Sequence, residues 1–230
     1  ADVSLPPDNT TGQRPYLEIP LADFAEKGLL SPLAPSSKIA EEFRSIKRPL
    51  LRNIDDSPES SAEHTNLIMV TSALQGDGKT FTALNLAMSI AMEQDKTVLL
   101  VDADVSKATA GQMLGVAADN PGLIDVLEGR GVTLGDVILP TSIENLRFIP
   151  AGNVHQRSTE LLAGRNMRKL MLELSSRYPD RVVIFDSPPL LVTTEASVLA
   201  SFMGQIAFVV ATDETPQEAV TKALEHIGDD

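Results

Sequence analysis

Cysteine and tryptophan are both missing from this chain, and histidine occurs only three times. Without thiols there is no disulfide, no thiolate metal centre and no cysteine nucleophile, and three scattered histidines argue against a zinc site. Aromatic residues supply 4% of the sequence against 43% hydrophobic residues in all, so the core has to be built from Val, Ile, Leu, Met and Ala. No apolar run approaches the roughly 18 residues that a membrane-spanning helix requires, and the N-terminus lacks the basic-then-apolar order of a signal peptide. Positive charge is scarce as well. With 19 Lys and Arg against 32 Asp and Glu, the formal net charge of −13 repels nucleic acid and anionic surfaces on average. The expectation is a cytoplasmic chain with no nucleic-acid partner. Its 230 residues suffice for one α/β domain plus a tail.

Three stretches differ in texture. Residues 1–36 are polar, carry much of the proline and lack sustained periodicity, which predicts a largely flexible tail with at most a short helix in LADFAEKGLL at 21–30. Residues 37–65 read as a helix and a linker: Ile39, Phe43 and Ile46 fall at helical spacing, Ser37 is placed to cap the helix, and Pro49 lies near its end. From 66 to 230, short apolar runs alternate with helical patterns. Strands are expected at 67–72, 97–104, 145–151, 181–187 and 205–212, and helices at 80–93, 123–128, 159–177, 194–201 and 216–227. The fold class is therefore α/β, with a mainly parallel sheet covered by helices on both faces, and the segment SALQGDGKT between the first strand and the helix after it makes the expected member of that class a P-loop NTPase fold.

The segment SALQGDGKT, Ser72 to Thr80, follows a predicted strand and opens a predicted helix, which is the context a phosphate-binding P-loop needs. Gly76 and Gly78 allow the tight turn that aims backbone N–H groups inward, and the helix N-terminus adds its dipole. Lys79 supplies a mobile charge for the β- and γ-phosphates of ATP, and the hydroxyl of Thr80 a ligand for Mg²⁺. Gln75, Gly76, Asp77, Gly78, Lys79, Thr80 and Phe81 are the candidate nucleotide-binding residues.

A magnesium nucleotide also needs carboxylates at neighbouring strand ends. TVLLVDAD ends in Asp102 and Asp104, two residues apart and so on one side of an extended chain, and RVVIFDSPP ends its apolar run at Asp186. Thr80, Asp102, Asp104 and Asp186 are the candidate metal ligands. Pro188 and Pro189 should turn the chain sharply after Asp186 and fix it at the sheet's edge.

Together the P-loop, VLLVDAD and VVIFDSPP resemble the motifs of the bacterial tyrosine kinases, and IAEEFRSIKRPLL resembles that family's Glu-x2-Arg-x2-Arg helix, here Glu41, Arg44 and Lys47. PAG, STELLAG and RYPDRVVIFDSPPLL are similar to the branch found with exosortase and exopolysaccharide loci, and the likeness runs from about residue 17 to the end. The resemblance implies an ATP-dependent tyrosine autokinase with residual ATPase activity. Lys79, Asp102 and Asp104 would be catalytic, with Asp102 or Asp104 activating the acceptor hydroxyl or holding the metal, and Asp186 would bind Mg²⁺ through water. It further implies a homo-oligomer formed through Glu41, Arg44 and Lys47, and recruitment to the inner face of the membrane by a membrane-embedded activator of the chain-length-determinant type.

Departures from the family pattern are Ser106 in place of an arginine, Gln75 in place of the loop proline, and a total of two tyrosines, Tyr16 and Tyr178, where the family has a tyrosine-rich C-terminal cluster. Three readings stay open for the last: a tail that has been removed, another substrate, or no autophosphorylation. Two other functions stay open too, a non-catalytic ATP-binding regulator and a switch ATPase of the partitioning and positioning class. The latter class carries a signature lysine where this chain has Leu74.

Overall fold

The computed structural model describes residues 16–57, 64–153, 158–177 and 181–227. The chain runs through α1 (Leu21–Glu26), α2 (Lys38–Asp55), β1 (Leu67–Ser72), α3 (Lys79–Ala91), β2 (Thr97–Asp102), α4 (Thr109–Met113), α5 (Leu123–Glu128) and α6 (Leu134–Val137). It continues through β3 (Leu139–Pro140), β4 (Leu146–Ile149), α7 (Ser158–Leu162), α8 (Arg165–Arg177), β5 (Arg181–Asp186), α9 (Thr194–Ala200), β6 (Gln205–Val209) and α10 (Gln217–Glu225).

The strands form a six-stranded sheet in the order β3-β4-β2-β5-β1-β6. All neighbours are parallel except β3, which runs antiparallel to β4. The central strands are unbroken apolar runs because both faces are covered, and the two-residue alternation of a strand sorts their side chains between two cores. Ile68, Val70, Val98, Leu100, Val182 and Ile184 pack with α2 and α3 on one face. Leu67, Met69, Leu99, Val101, Val183 and Phe185 pack with α5, α8 and α9 on the other. No helix of the described residues is long and apolar enough to cross a membrane.

All five expected strands are present, and β3 is an addition too short to leave a periodic trace. The expected helix over 159–177 is two helices, because the chain bends at Gly164, where a Cβ would lie 3.0 Å from the Glu160 carbonyl oxygen. Helix α2 continues six residues past Pro49 to Asp55. A helix-interior proline forfeits a hydrogen bond at a cost of about 3 kcal/mol, and here the packing of Leu50, Leu51 and Ile54 against the core offsets it.

The described part of the N-terminal segment differs most from expectation. From Tyr16 onward it is fastened to the domain: Leu17 bridges to Thr141, its N–H donates to the Pro140 carbonyl at 2.9 Å, and the Leu30 N–H donates to Asn85 Oδ1 at 2.5 Å. Leu17, Ile19, Phe24, Leu29 and Leu30 are all buried. Residues 1–15, the remainder of the expected tail, lie outside the described residues.

Candidate nucleotide site

The P-loop leaves the C-terminal end of β1 and returns as α3. Gly76 and Gly78 have φ of 97° and 96°, the left-handed region that glycine enters without a Cβ penalty, and Gly78 caps α3 so that the helix opens on Lys79. Asp77 closes the loop from within. Its Oδ2 accepts the Leu74 N–H at 2.9 Å, and its Oδ1 accepts the Thr215 hydroxyl at 2.8 Å. Thr215 Oγ1 in turn accepts the Ala211 N–H at 3.1 Å, so the turn after β6 braces the phosphate loop. The Asp77 carboxylate is thus committed to the loop's own scaffold, so that the expected nucleotide contact of Asp77 would be made by its backbone N–H, while Gln75, Gly76 and Phe81 are exposed or half-exposed.

The parallel sheet brings the acids to the same edge. Asp102 and Asp186 are register partners across β2 and β5, and Asp186 is also paired with Val70 of β1, four residues before the loop's Leu74. Lys79, Asp102, Asp104 and Asp186 are all buried. Asp102 Oδ2 accepts the Gly111 N–H at 3.0 Å, and Asp104 Oδ1 accepts the Ser106 hydroxyl at 2.7 Å. Asp102 Oδ1 and both carboxylate oxygens of Asp186 are buried without a hydrogen bond. Burial, and then the neighbouring charge of Asp186, pushes the Asp102 carboxyl up to about 8. Burial pushes Asp186 up to about 7; the adjacent Thr80 hydroxyl and Lys79 ammonium restrain that rise, and the charge of Asp104 adds to it. The Thr80 hydroxyl therefore lies close enough to influence Asp186 without forming a well-aligned hydrogen bond.

Buried carboxylates held short of donors are costly unless a cation or further donors complete them. Among the described residues no three acidic or histidine side chains gather into a cage for an ion. The unpartnered oxygens of Asp102 and Asp186, with the Thr80 hydroxyl beside them, fit Mg²⁺, which keeps most of its water and takes one or two protein ligands together with phosphate oxygens.

The segment after Asp186 runs alongside the P-loop's base where a sharp turn was expected. The Ser187, Leu190 and Leu191 N–H groups donate to the carbonyls of Val70, Ser72 and Ala73 at 3.2, 2.9 and 3.3 Å. Pro188 and Pro189 occupy the positions between, where no N–H is needed, and the Pro188 carbonyl accepts the Thr71 hydroxyl at 3.0 Å. The chain after β5 is in effect a continuation of the sheet that carries the phosphate loop.

Glu41, Arg44 and Lys47 do not form one outward-facing set. Arg44 pairs with Glu41 and donates to the Pro35 carbonyl at 2.6 Å, on the surface. Lys47 is buried, with its Nζ 2.6 Å from the Ser89 carbonyl and 2.5 Å from Glu93 Oε1, and so ties α2 to the P-loop helix α3. Phe43 and Phe81 make an edge-to-face contact at 6.5 Å between the same two helices.

A parallel sheet bearing a glycine-turned phosphate loop and two register-matched acids defines a P-loop nucleotide-binding domain. The chain belongs to the family described as AAA domain, which matches residues 65–227. Within it, the likeness is to bacterial tyrosine kinases. The chain is 29% identical over 201 residues to tyrosine-protein kinase YwqD of Bacillus subtilis, covering 87% of this chain and 80% of that protein. It is 35% identical over 144 residues to tyrosine-protein kinase wzc of Salmonella typhi, covering 63% of this chain and 19% of that protein. Among solved structures, the kinase domain of the Escherichia coli tyrosine kinase ETK superposes with a TM-score of 0.74 at 26% identity, over 93% of this chain and 84% of that one. The septum site-determining protein MinD of Pyrococcus horikoshii, complexed with Mg-ADP, gives 0.55 at 27% identity, over 68% and 60%.

Proposed function

We propose that this chain is the catalytic domain of a protein-tyrosine kinase that passes the γ-phosphoryl group of Mg-ATP to a tyrosine hydroxyl in the service of exopolysaccharide production. The observation that carries this reading is the pair of unsatisfied, register-matched acids, Asp102 and Asp186, beside the Lys79 and Thr80 end of a P-loop. The loop amides between Gly76 and Thr80 would hold the β- and γ-phosphates, with Lys79 as the mobile countercharge. Thr80 and Asp186 would hold Mg²⁺, which supplies neutralisation of phosphate charge when bound. Asp102 and Asp104 lie on the far side of Asp186 from the loop and would orient an acceptor hydroxyl and take its proton. Phosphoryl transfer of this kind relies on positioning and charge, both of which a rigid sheet edge provides.

Oligomerisation and recruitment by a membrane-embedded partner of the chain-length-determinant type remain part of this reading. Lys47 is spent inside the fold, so Glu41 and Arg44 are the members of that helix left to meet a neighbouring copy. A non-catalytic ATP-binding regulator is the second reading, favoured by Ser106, whose hydroxyl occupies Asp104 Oδ1. A switch ATPase is less well supported, because Leu74 stands where that class carries a lysine, and the likeness to MinD is the weaker.

Incubation with Mg-ATP and a tyrosine-containing acceptor, followed by phosphotyrosine detection, tests the proposal. Wild type is expected to label the acceptor and Lys79→Met to lose at least about 100-fold in rate, as removal of the principal phosphate countercharge implies. Equal labelling by Lys79→Met would overturn it, as would ATP binding with no phosphotyrosine.

A further inference from the structure

Tyr16 is 61% exposed and stands immediately before the point where the N-terminal segment joins the sheet. The Leu17 N–H donates to the Pro140 carbonyl at 2.9 Å and the Ser142 N–H to the Leu17 carbonyl at 3.0 Å, which makes a parallel bridge between Leu17 and Thr141. Tyr16 is therefore level with Pro140, whose register partner on β4 is Arg147. Side chains alternate along an extended chain, and Leu17 and Ile19 enter the core on the α2–α3 face, so exposed Tyr16 and Glu18 face the other way. Arg147 lies between Leu146 and Phe148, both of that same core, and opposite Leu99 of the other core. The tyrosine and the arginine thus share one face and one level of the sheet, two strand spacings or roughly 10 Å apart, within the combined reach of two long side chains.

Arg147 carries charge that the fold leaves unanswered. Its Nη1 donates to the Glu144 and Leu146 carbonyls at 3.1 and 3.4 Å, and among the described residues no carboxylate pairs with it. A guanidinium has five donors in a planar fork, and these carbonyls occupy one nitrogen. The remaining donors suit an anion with several oxygens, of which a phosphate monoester is the best match.

We infer that Tyr16 is a phosphorylation site and that Arg147 receives its phosphate, a clasp that fastens the N-terminal segment across β3 to β4. The inference rests on the kinase reading and names an acceptor within the chain itself. The donor is a second copy, because Tyr16 lies outside β3, three strand spacings or roughly 14 Å from β2 and five or roughly 24 Å from the phosphate loop on β1. It is also level with Leu99, three residues short of Asp102 along β2, and the buried Leu17 and Ile19 hold it there. In the second copy's site the phenol oxygen forms a bond to the γ-phosphorus of ATP while the bond from that phosphorus to the β–γ bridging oxygen breaks. ADP leaves with the electron pair, and the phenolic proton passes to one of that copy's strand-end carboxylates. The new group adds close to two negative charges. Glu18, exposed two residues on, repels it and leaves Arg147 as its counterion.

The test uses a nitrogen-15-labelled Lys79→Met chain as acceptor, mixed with unlabelled wild type and Mg-ATP, and phosphate is mapped by peptide mass spectrometry. A random copolymer of glutamate and tyrosine serves as an independent acceptor. Phosphate is expected on Tyr16 of the labelled chain, at a rate proportional to the concentration of wild type. In the phosphorylated protein the Leu17 and Ile19 amides should exchange with deuterium about tenfold more slowly than in the unphosphorylated one. Arg147→Gln should cancel that protection while leaving Tyr16 phosphorylation unchanged. A labelled copolymer with Tyr16 left bare overturns the inference and leaves the kinase reading standing. Protection that survives Arg147→Gln, or that never develops on phosphorylation, overturns the clasp. A wild type that binds Mg-ATP yet labels neither Tyr16 nor the copolymer overturns the kinase reading and the inference with it.

Discussion

Asp102 and Asp186 keep their protons more firmly in the fold than in the unfolded chain, toward about 8 and about 7 against an ordinary value near 3.8. Between those limits the native state binds more protons than the unfolded one, so stability is full at low pH and is lost as pH rises through the folded values. Each group contributes at most about 1.4 kcal/mol per pH unit to that slope. Asp186→Asn should therefore raise the Tm of the nucleotide-free protein at pH 8 and change it little at pH 4.5, with phosphotransfer lost. Circular dichroism melts at the two pH values check this, since the chain has no tryptophan to report by fluorescence. A Tm gain that did not grow with pH would contradict it. At this scale the sequence was partly legible. Motif and position put Gly76, Gly78, Lys79, Thr80 and the strand-end acids at one edge of the sheet, which is where they stand. The commitment of Asp77 to the loop scaffold was not visible, because its partner Thr215 lies 138 residues away and a lone threonine in a turn carries no signal.

That same contact joins two elements, the P-loop and the turn between β6 and α10. A neutral donor to a buried carboxylate contributes about 1.5–3 kcal/mol, and its loss frees both the loop and the turn. Thr215→Val should raise the Kd for Mg-ATP about tenfold, equivalent to ~1.4 kcal/mol. Thr215→Ser, which keeps the hydroxyl, should restore it. Equal affinities in the valine and serine variants would show that the brace does not shape the site. Element existence was well encoded in the sequence, and element ends less so. Apolar runs gave all five main strands, whereas α2 overran Pro49 because Leu50, Leu51 and Ile54 found a core to pack on, a tertiary gain that local propensity does not contain. Lys47 misled for a related reason. Helical spacing placed it with Glu41 and Arg44, but a lysine stem is apolar, and burial with the ammonium on Ser89 and Glu93 satisfied both ends of the side chain.

For the molecule as a whole, one sheet separates two cores, and the described N-terminal segment completes the core on the α2–α3 face. Its anchors Leu17, Ile19, Phe24, Leu29 and Leu30 are spaced irregularly, so neither a helical nor a strand period reveals them. Phe24, 1% exposed, should cost about 3–5 kcal/mol when cut to alanine, as for other buried aromatics. A Phe24→Ala melt within a degree or so of wild type would mean that this segment is not part of the cooperative unit. The phosphate loop and the acids both depend on that unit holding five parallel strand tips in register.

The most direct test is a calorimetric titration of Mg-ATP into the folded chain and into Lys79→Met. Saturable binding of one nucleotide per chain, dependent on magnesium and abolished by the substitution, is the predicted result. A correctly folded protein that takes up no Mg-ATP, or a Lys79→Met variant that binds it as tightly as wild type, would contradict the account.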